Sequence, residues 1–196
     1  MNVEFIIGTY KRPYELATLL GSLVTQTVPN WSAHVILDGY FFEIDNVADF
    51  FRSEKRIKFS VVTGPNNDYG NTPRMYGRKV CNQDWMIMTG DDNYYAPMLV
   101  EEMFSVIDDK TNFVCWDTLL NFVNRPNKYR GILHTKPMPE HIDLGSFATR
   151  TKMANELDYN IKSETGDGEF AQSYVERFCK EEGSYKKIDK VLYVHN

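Results

Sequence analysis

Through its first 110 residues the chain repeats one unit: a short apolar run closed by polar or glycine residues, then a stretch with helical spacing. Val3-Glu4-Phe5-Ile6-Ile7 opens the series, and Gly8-Thr9-Tyr10-Lys11-Arg12-Pro13 breaks it. Pro13 suits the first turn of a helix. Leu16, Leu19, Leu20, Leu23 and Val24 then recur as one apolar helix face, which predicts a helix over 14–25. Ala33 to Leu37 reads as a second strand ending at Asp38-Gly39, with a weaker helix over 47–52. A third strand over 57–62 leads into Gly64-Pro65-Asn66-Asn67. Thr72 and Pro73 read as the cap and first residue of a helix that carries Arg74, Arg78 and Lys79. Trp85-Met86-Ile87-Met88 is a fourth, buried strand, and a helix over 97–107 follows it. Strands and helices alternating at this spacing predict a mostly parallel sheet flanked by helices.

After residue 112 the pattern changes. Phe113 to Trp116 and Ile132 to Thr135 are strand-like, but Pro126, Pro137 and Pro139 interrupt them. Asp143 to Arg150 suits a strand or a loop. A helix is expected over 168–181, and a last short strand over 191–194. A chain of 196 residues suits one domain, here with a nucleotide-type half over 1–110 and a mixed half over 111–196 that completes the site. A net charge of −5 with scattered Lys and Arg argues against nucleic acid as a partner. Cys81, Cys115 and Cys179 are odd in number and widely spaced, which makes neither a zinc motif nor a disulfide framework. A reducing, cytoplasmic compartment is expected. The N-terminus has no signal-peptide pattern, and no apolar run is long enough to span a membrane.

In open parallel sheets, ligands gather beyond the carboxyl ends of the strands. The fourth strand ends there in Thr89-Gly90-Asp91-Asp92-Asn93. A cluster of hard oxygen donors suits Mg²⁺ or Mn²⁺, ions that commonly hold phosphates. The same residues also read as a polar turn that caps the helix beginning near Pro97. Thr9, Tyr10 and Arg12 follow the first strand, and Asp38 follows the second. A strand-end carboxylate accepts hydrogen bonds from a base N–H or a ribose hydroxyl, and Tyr10 can stack on a base. Individually, Thr9 and Asp38 equally suit strand termination, and Tyr10 suits the core. Their coincidence at one sheet edge favours a nucleotide. Neither GxGxxG nor GxxxxGK[ST] is present, so phosphate charge would fall to a metal and to a basic residue such as Arg74.

FIIGTYKRP, HVILDG and NTPRMYGRKVCNQDWMIMTGDDNYYAP together resemble the family 2 glycosyltransferases, which have the GT-A fold. LGSFATRTKMANEL, ETGDGEF and the final LYVHN extend the resemblance, in order, over most of the chain. The resemblance implies a single GT-A-type, Rossmann-like α/β domain over 1–196. It implies a nucleotide-sugar donor, most often UDP-linked, a glycan or other hydroxyl acceptor, and Mn²⁺ or Mg²⁺. By matching position, Thr9, Tyr10 and Asp38 would hold the nucleoside, Arg74 would approach the diphosphate, and Asp91 would lie near the ribose. Arg12 belongs to the same donor-binding group. Asp92 would bind the metal, and His195 is a further candidate ligand. Two departures stand out. The family's Asp-x-Asp is Gly90-Asp91-Asp92 here, and the second strand ends in Leu37-Asp38-Gly39-Tyr40 rather than in paired acidic residues. The QxxRW motif of processive synthases is missing, which favours transfer of a single sugar.

Glycosyl transfer needs a group to take the proton from the acceptor hydroxyl. Asp167, in Glu164-Thr165-Gly166-Asp167-Gly168-Glu169, stands where the family keeps its base. Glu169 and then Glu164 are the fallbacks, and Asp167 also suits a helix N-cap. His34, His134 and His141 have no ligand spacing. Two other functions stay open. A nucleotidyltransferase would share the α/β half, though GTYKRP lacks the expected glycine-rich basic loop. A non-catalytic sugar-binding module would use the aromatic residues but has no need of Asp91, Asp92 and Asp167 together.

Overall fold

The computed structural model describes residues 1–121, 130–158 and 166–196. The first half alternates as expected: β1 (Val3–Thr9), α1 (Pro13–Val24), β2 (Trp31–Asp38), α2 (Ile44–Phe50), β3 (Ile57–Val62), α3 (Asn71–Val80) and β4 (Trp85–Gly90). The two-residue β5 (Tyr94–Tyr95) and α4 (Leu99–Val106) follow. The second half contributes β6 (Phe113–Leu120), β7 (Gly131–Leu133), a 3₁₀ turn over Leu144–Ser146, β8 (Phe147–Arg150), α5 (Thr151–Ala154), α6 (Gly166–Phe178) and β9 (Tyr185–His195).

All these strands join one sheet, in the order β3-β2-β1-β4-β8-β6-β9-β5, with β7 on β6. Strands β3, β2, β1 and β4 are mutually parallel. The sheet as a whole is mixed. β8 runs antiparallel to both β4 and β6, and β5 runs antiparallel to β9, while β6 and β9 are parallel. In the first half each helix, α1, α2 and α3, carries the chain from one strand to the next in the same direction, which is the connection that parallel strands require.

Every residue of β1 is buried. Alternate residues serve two cores, as the period of a strand requires. Phe5 and Ile7 join the apolar face of α1 and residues of α4 in one cluster. Ile6 joins Ile36, Met86, Met88 and the apolar face of α6 in the other. Among the described residues the cysteines are free, and burial pushes the Cys81 and Cys115 thiols up to about 12.

Several expectations need correction. Thr72 does not cap α3. Gly70 precedes the helix in a left-handed conformation, and the Asp68 carboxylate accepts from the backbone N–H groups of Asn71 (3.0 Å) and Thr72 (2.8 Å). Thr72 donates its own hydroxyl to the same carboxylate, at 2.6 Å. β9 spans eleven residues and runs on through the polar Lys186-Lys187 and Asp189-Lys190, with register shifts on both sides of Asp117, the first of which passes over Asp189 and Lys190 in the pairing with β6. Asp143 to Arg150 divides into the 3₁₀ turn and β8, and α2 begins at Ile44 rather than Val47. Pro126 and Glu164 lie outside the described residues.

Candidate active site

Register places the polar strand ends side by side. Gly8 of β1 is level with Gly90 of β4, so Thr9 stands across from Asp91. The Thr9 hydroxyl donates to Asp91 Oδ2 at 2.7 Å. Arg12, just before α1, reaches back with one guanidinium nitrogen. It lies 3.3 Å from Asp91 Oδ1 and 2.6 Å from Asp92 Oδ2. Gly8, Thr9, Tyr10, Arg12, Asp38, Arg74, Asp91, Asp92, His195 and Asn196 share the wall of a cavity of about 420 Å³. Eight residues singled out from the sequence, Thr9, Tyr10, Arg12, Asp38, Arg74, Asp91, Asp92 and His195, are thus gathered from five elements and their connections.

The two adjacent carboxylates differ. Asp91 keeps 6% of its side-chain surface and Asp92 keeps 29%. Burial pushes the Asp91 carboxyl up to about 6, against the pull of Thr9 and Arg12. Asp92 presents its carboxylate to the cavity, and its backbone carbonyl accepts from Asn196 Nδ2 at 2.8 Å. Asp38 also faces the cavity, but its carboxylate is engaged by the loop after β3. It accepts from the Asn66 backbone N–H and, at 2.6 Å, from Asn66 Nδ2. That engagement leaves Asp38 fewer lone pairs for a ligand. Tyr10 is partly exposed, with the Lys11 ammonium 5.2 Å from its ring centre. Arg74 is buried on α3 and donates to the Tyr69 carbonyl at 2.5 Å.

Asp167 lies in the first turn of α6, next to this wall rather than within it. Its Oδ2 accepts from the Leu144 N–H at 3.4 Å. Burial, and then the charge of Asp143, push its carboxyl up to about 7, against the pull of Arg74 and His195. A carboxyl raised to that value can exchange a proton near neutrality. Glu169 is exposed on α6.

A model of the glycosyl transferase family 2 domain matches residues 4–170. This chain belongs to that family. A curated relative, described as an uncharacterized glycosyltransferase of Haemophilus influenzae, is 25% identical over 126 residues, which cover 64% of this chain and 39% of that protein. Among solved structures, S. aureus TarS 1–349 superposes with a TM-score of 0.78 at 16% identity, over all of this chain and 60% of that one. The same TarS segment in complex with UDP-GlcNAc gives 0.76 at 17% identity, covering 58% of that chain. A mannosyltransferase from Pyrobaculum calidifontis in complex with GDP-Man and Mn²⁺ gives 0.73 at 12% identity, over 99% of this chain and 56% of that one. The fold is therefore the mixed α/β GT-A fold. The chain spans 39% of the curated relative and 56–60% of these solved chains.

As a family 2 chain, it holds contacts at this site that its sequence did not disclose. Asp143 stands 2.7 Å from His195 and was not among the candidate residues. The signal available was its place at the head of Asp143-Leu144-Gly145-Ser146, an acidic residue that caps a turn. Asp68 and Asn196 likewise line the cavity without a sequence signal. Among the described residues, no three His, Cys, Asp or Glu side chains form a ready metal cluster, and no helix is long and apolar enough to cross a membrane.

Proposed function

We propose that this chain is the catalytic part of an inverting glycosyltransferase, moving one sugar from a nucleotide-sugar donor to a hydroxyl of a glycan or other acceptor. One observation carries the reading. Asp91, Asp92, Arg12, Arg74 and His195 converge on one cavity at the carboxyl ends of β1 and β4, and a partly buried carboxyl with a raised pKa, that of Asp167, stands beside it. A cavity with both acidic and basic walls suits a ligand that carries a diphosphate and a polar sugar. Family membership supports the reaction class, and the TarS complex with UDP-GlcNAc supports a UDP-linked donor.

The donor set fits a divalent cation. Asp92 offers a carboxylate oxygen and His195 an imidazole nitrogen. Mg²⁺-type sites commonly take only one or two protein carboxylates and complete their shell with substrate phosphates and water. When bound, the ion stabilises the charge of the leaving diphosphate as a Lewis acid. Arg12, now shared between Asp91 and Asp92, is placed to transfer part of its hydrogen bonding to a donor phosphate. Thr9 and Asp91 form the wall beside the ribose, and Tyr10 offers a face to the base. Asp167 takes the proton of the acceptor hydroxyl, which attacks from the side opposite the diphosphate and so inverts the anomeric centre. That role requires Asp167 to be ionised.

The test is a panel of nucleotide sugars, screened by thermal shift with Mn²⁺ and with EDTA, then assayed for turnover. A ligand that binds only the folded state raises its melting temperature. Stabilisation by a UDP- or GDP-sugar in Mn²⁺, with slow release of the nucleoside diphosphate, is the expected result. Release of pyrophosphate from a nucleoside triphosphate and a sugar phosphate would instead identify a nucleotidyltransferase. Sugar binding without turnover of any donor would identify a binding module.

A further inference from the structure

Asp143 carries no role in the reading above, yet its carboxylate is held from several directions. Oδ1 accepts from the Tyr193 hydroxyl at 2.6 Å and from the Gly145 N–H at 2.9 Å. Oδ2 stands 2.7 Å from His195 Nδ1. The Asp143 backbone is tied as well: its N–H donates to Ser146 Oγ at 3.2 Å, and its carbonyl accepts from the Ser146 N–H at 2.9 Å. Tyr193 and His195 are two residues apart on β9, so their side chains leave the same face of the sheet. Both therefore reach one carboxylate. The packing leaves little room to move, since a Cβ on Gly145 would come within 2.3 Å of the Tyr193 ring. Tyr193 itself is fully buried and lies 5.1 Å from Tyr95, centre to centre.

An ionised carboxylate only accepts hydrogen bonds. A neutral imidazole facing it through Nδ1 must carry its proton there, which leaves the Nε2 lone pair unprotonated. His195 also lines the cavity together with Asp92. A carboxylate behind a metal-binding histidine orients the ring, selects its tautomer and raises its basicity. We propose that Asp143 is a positioning residue, which holds His195 in the Nδ1–H tautomer so that Nε2 is available to a divalent cation shared with Asp92. The inference rests on the assignment of Asp92 and His195 to the cation. It adds a link from the second half of the chain: Tyr193 and the Gly145 turn hold Asp143, Asp143 holds His195, and His195 meets the strand end of the first half.

The test measures Mn²⁺ binding to the full chain by electron paramagnetic resonance, with UDP present. Asp143→Asn keeps an acceptor but removes the charge. It is expected to weaken Mn²⁺ binding about 10- to 100-fold, the usual scale for loss of such a partner, with UDP affinity in EDTA unchanged. Because Asp143 acts through His195, the double variant Asp143→Asn/His195→Ala should bind Mn²⁺ no more weakly than His195→Ala alone. Wild-type affinity in Asp143→Asn overturns the inference while leaving the metal site standing. A double variant weaker than His195→Ala by the full Asp143→Asn factor also overturns it. Absence of Mn²⁺ binding by the wild-type chain with UDP overturns both the inference and the metal site beneath it. Should Asp143→Asn fail to fold, ¹⁵N spectra of the histidines in the wild-type chain decide. An Nδ1–H tautomer at His195 supports the role, and an Nε2–H tautomer ends it.

Discussion

Asp91 and Asp92 are neighbours in the chain and differ in what surrounds them. Asp91 is walled in by Thr9 and Arg12, whereas Asp92 opens onto the cavity. Their variants should differ accordingly. Asp92→Ala removes an open carboxylate with no core contacts to lose, so it should abolish Mn²⁺-dependent donor binding with little change in melting temperature. Calorimetric titration with UDP in Mn²⁺, beside a thermal melt, checks both parts. Asp91→Ala leaves the Thr9 hydroxyl and Arg12 without their buried partner, and it should lower stability as well as donor affinity. Asp167 is separable from both, since it lies beyond the cavity wall on α6. Asp167→Asn keeps the size but not the proton acceptor. Its kcat should fall by about 10²-fold or more, the usual scale for loss of a general base, with UDP affinity nearly unchanged. Weakened UDP binding with normal turnover at saturation would move the base elsewhere, with Glu169 next to be tested.

Helix α3 shows how an element sets the depth of a side chain in the cleft. Gly77 lies against the sheet, where an added Cβ would come within 2.5 Å of Ile6 Cγ2 and 2.7 Å of Ile36 Cδ1. Both neighbours are fully buried. Gly77→Ala should therefore cost about 1–3 kcal/mol by overpacking, although alanine is the better helix former. Denaturant unfolding measures this directly. The same displacement would lift Arg74, one turn earlier on α3, away from the cavity, so donor affinity should fall together with stability. The start of α3 also departs from what its composition suggests. Thr72-Pro73 has the composition of a helix start, but the acceptor that meets the free N–H groups is Asp68, three and four residues before the groups it serves. Gly70, with φ at +76°, makes that reach possible.

Across the whole molecule, the proposed site carries a cost in stability. Asp91 and Asp167 are both raised above the ordinary carboxylate value of 3.8, to about 6 and about 7. Below 3.8 both groups are protonated, folded or unfolded, and nothing is lost. As pH rises, the unfolded chain releases these protons while the folded chain retains them, so their contribution declines through about 6 and about 7. Asp167→Asn removes one share of that decline. Its melting temperature relative to wild type should therefore rise as the pH is taken from about 4 to about 7, in chelator and without nucleotide. A difference that does not change with pH would show that Asp167 is not held neutral by its surroundings. If Asp167 is the base proposed above, it should also give the transfer rate a limb that increases with pH through about 7, because a general base works ionised.

Local pattern was enough for most of the first half, the cap of α3 and the start of α2 excepted. β3 matches its expected bounds, and β1, α1, β2 and β4 sit within a few residues of theirs, because hydrophobic period and strand-end breaks are properties of adjacent residues. The resemblance in FIIGTYKRP, HVILDG and TGDDN pointed to the family and to the candidate donor-side residues for the same reason, since each motif is the end of one strand with the residues that follow it. The second half was less legible. β8 is four residues long and inserts between β4 and β6, a placement that depends on distant partners and leaves little local trace. β9 runs through Lys186, Lys187, Asp189 and Lys190, whose polarity hides a strand that its pairing with β6 sustains. The meeting of Asp143 with His195, 52 positions apart in the numbering, is of the same kind. A carboxylate's role there follows from what long-range pairing brings against it: a tyrosine hydroxyl, a backbone N–H and an imidazole that no local spacing joins.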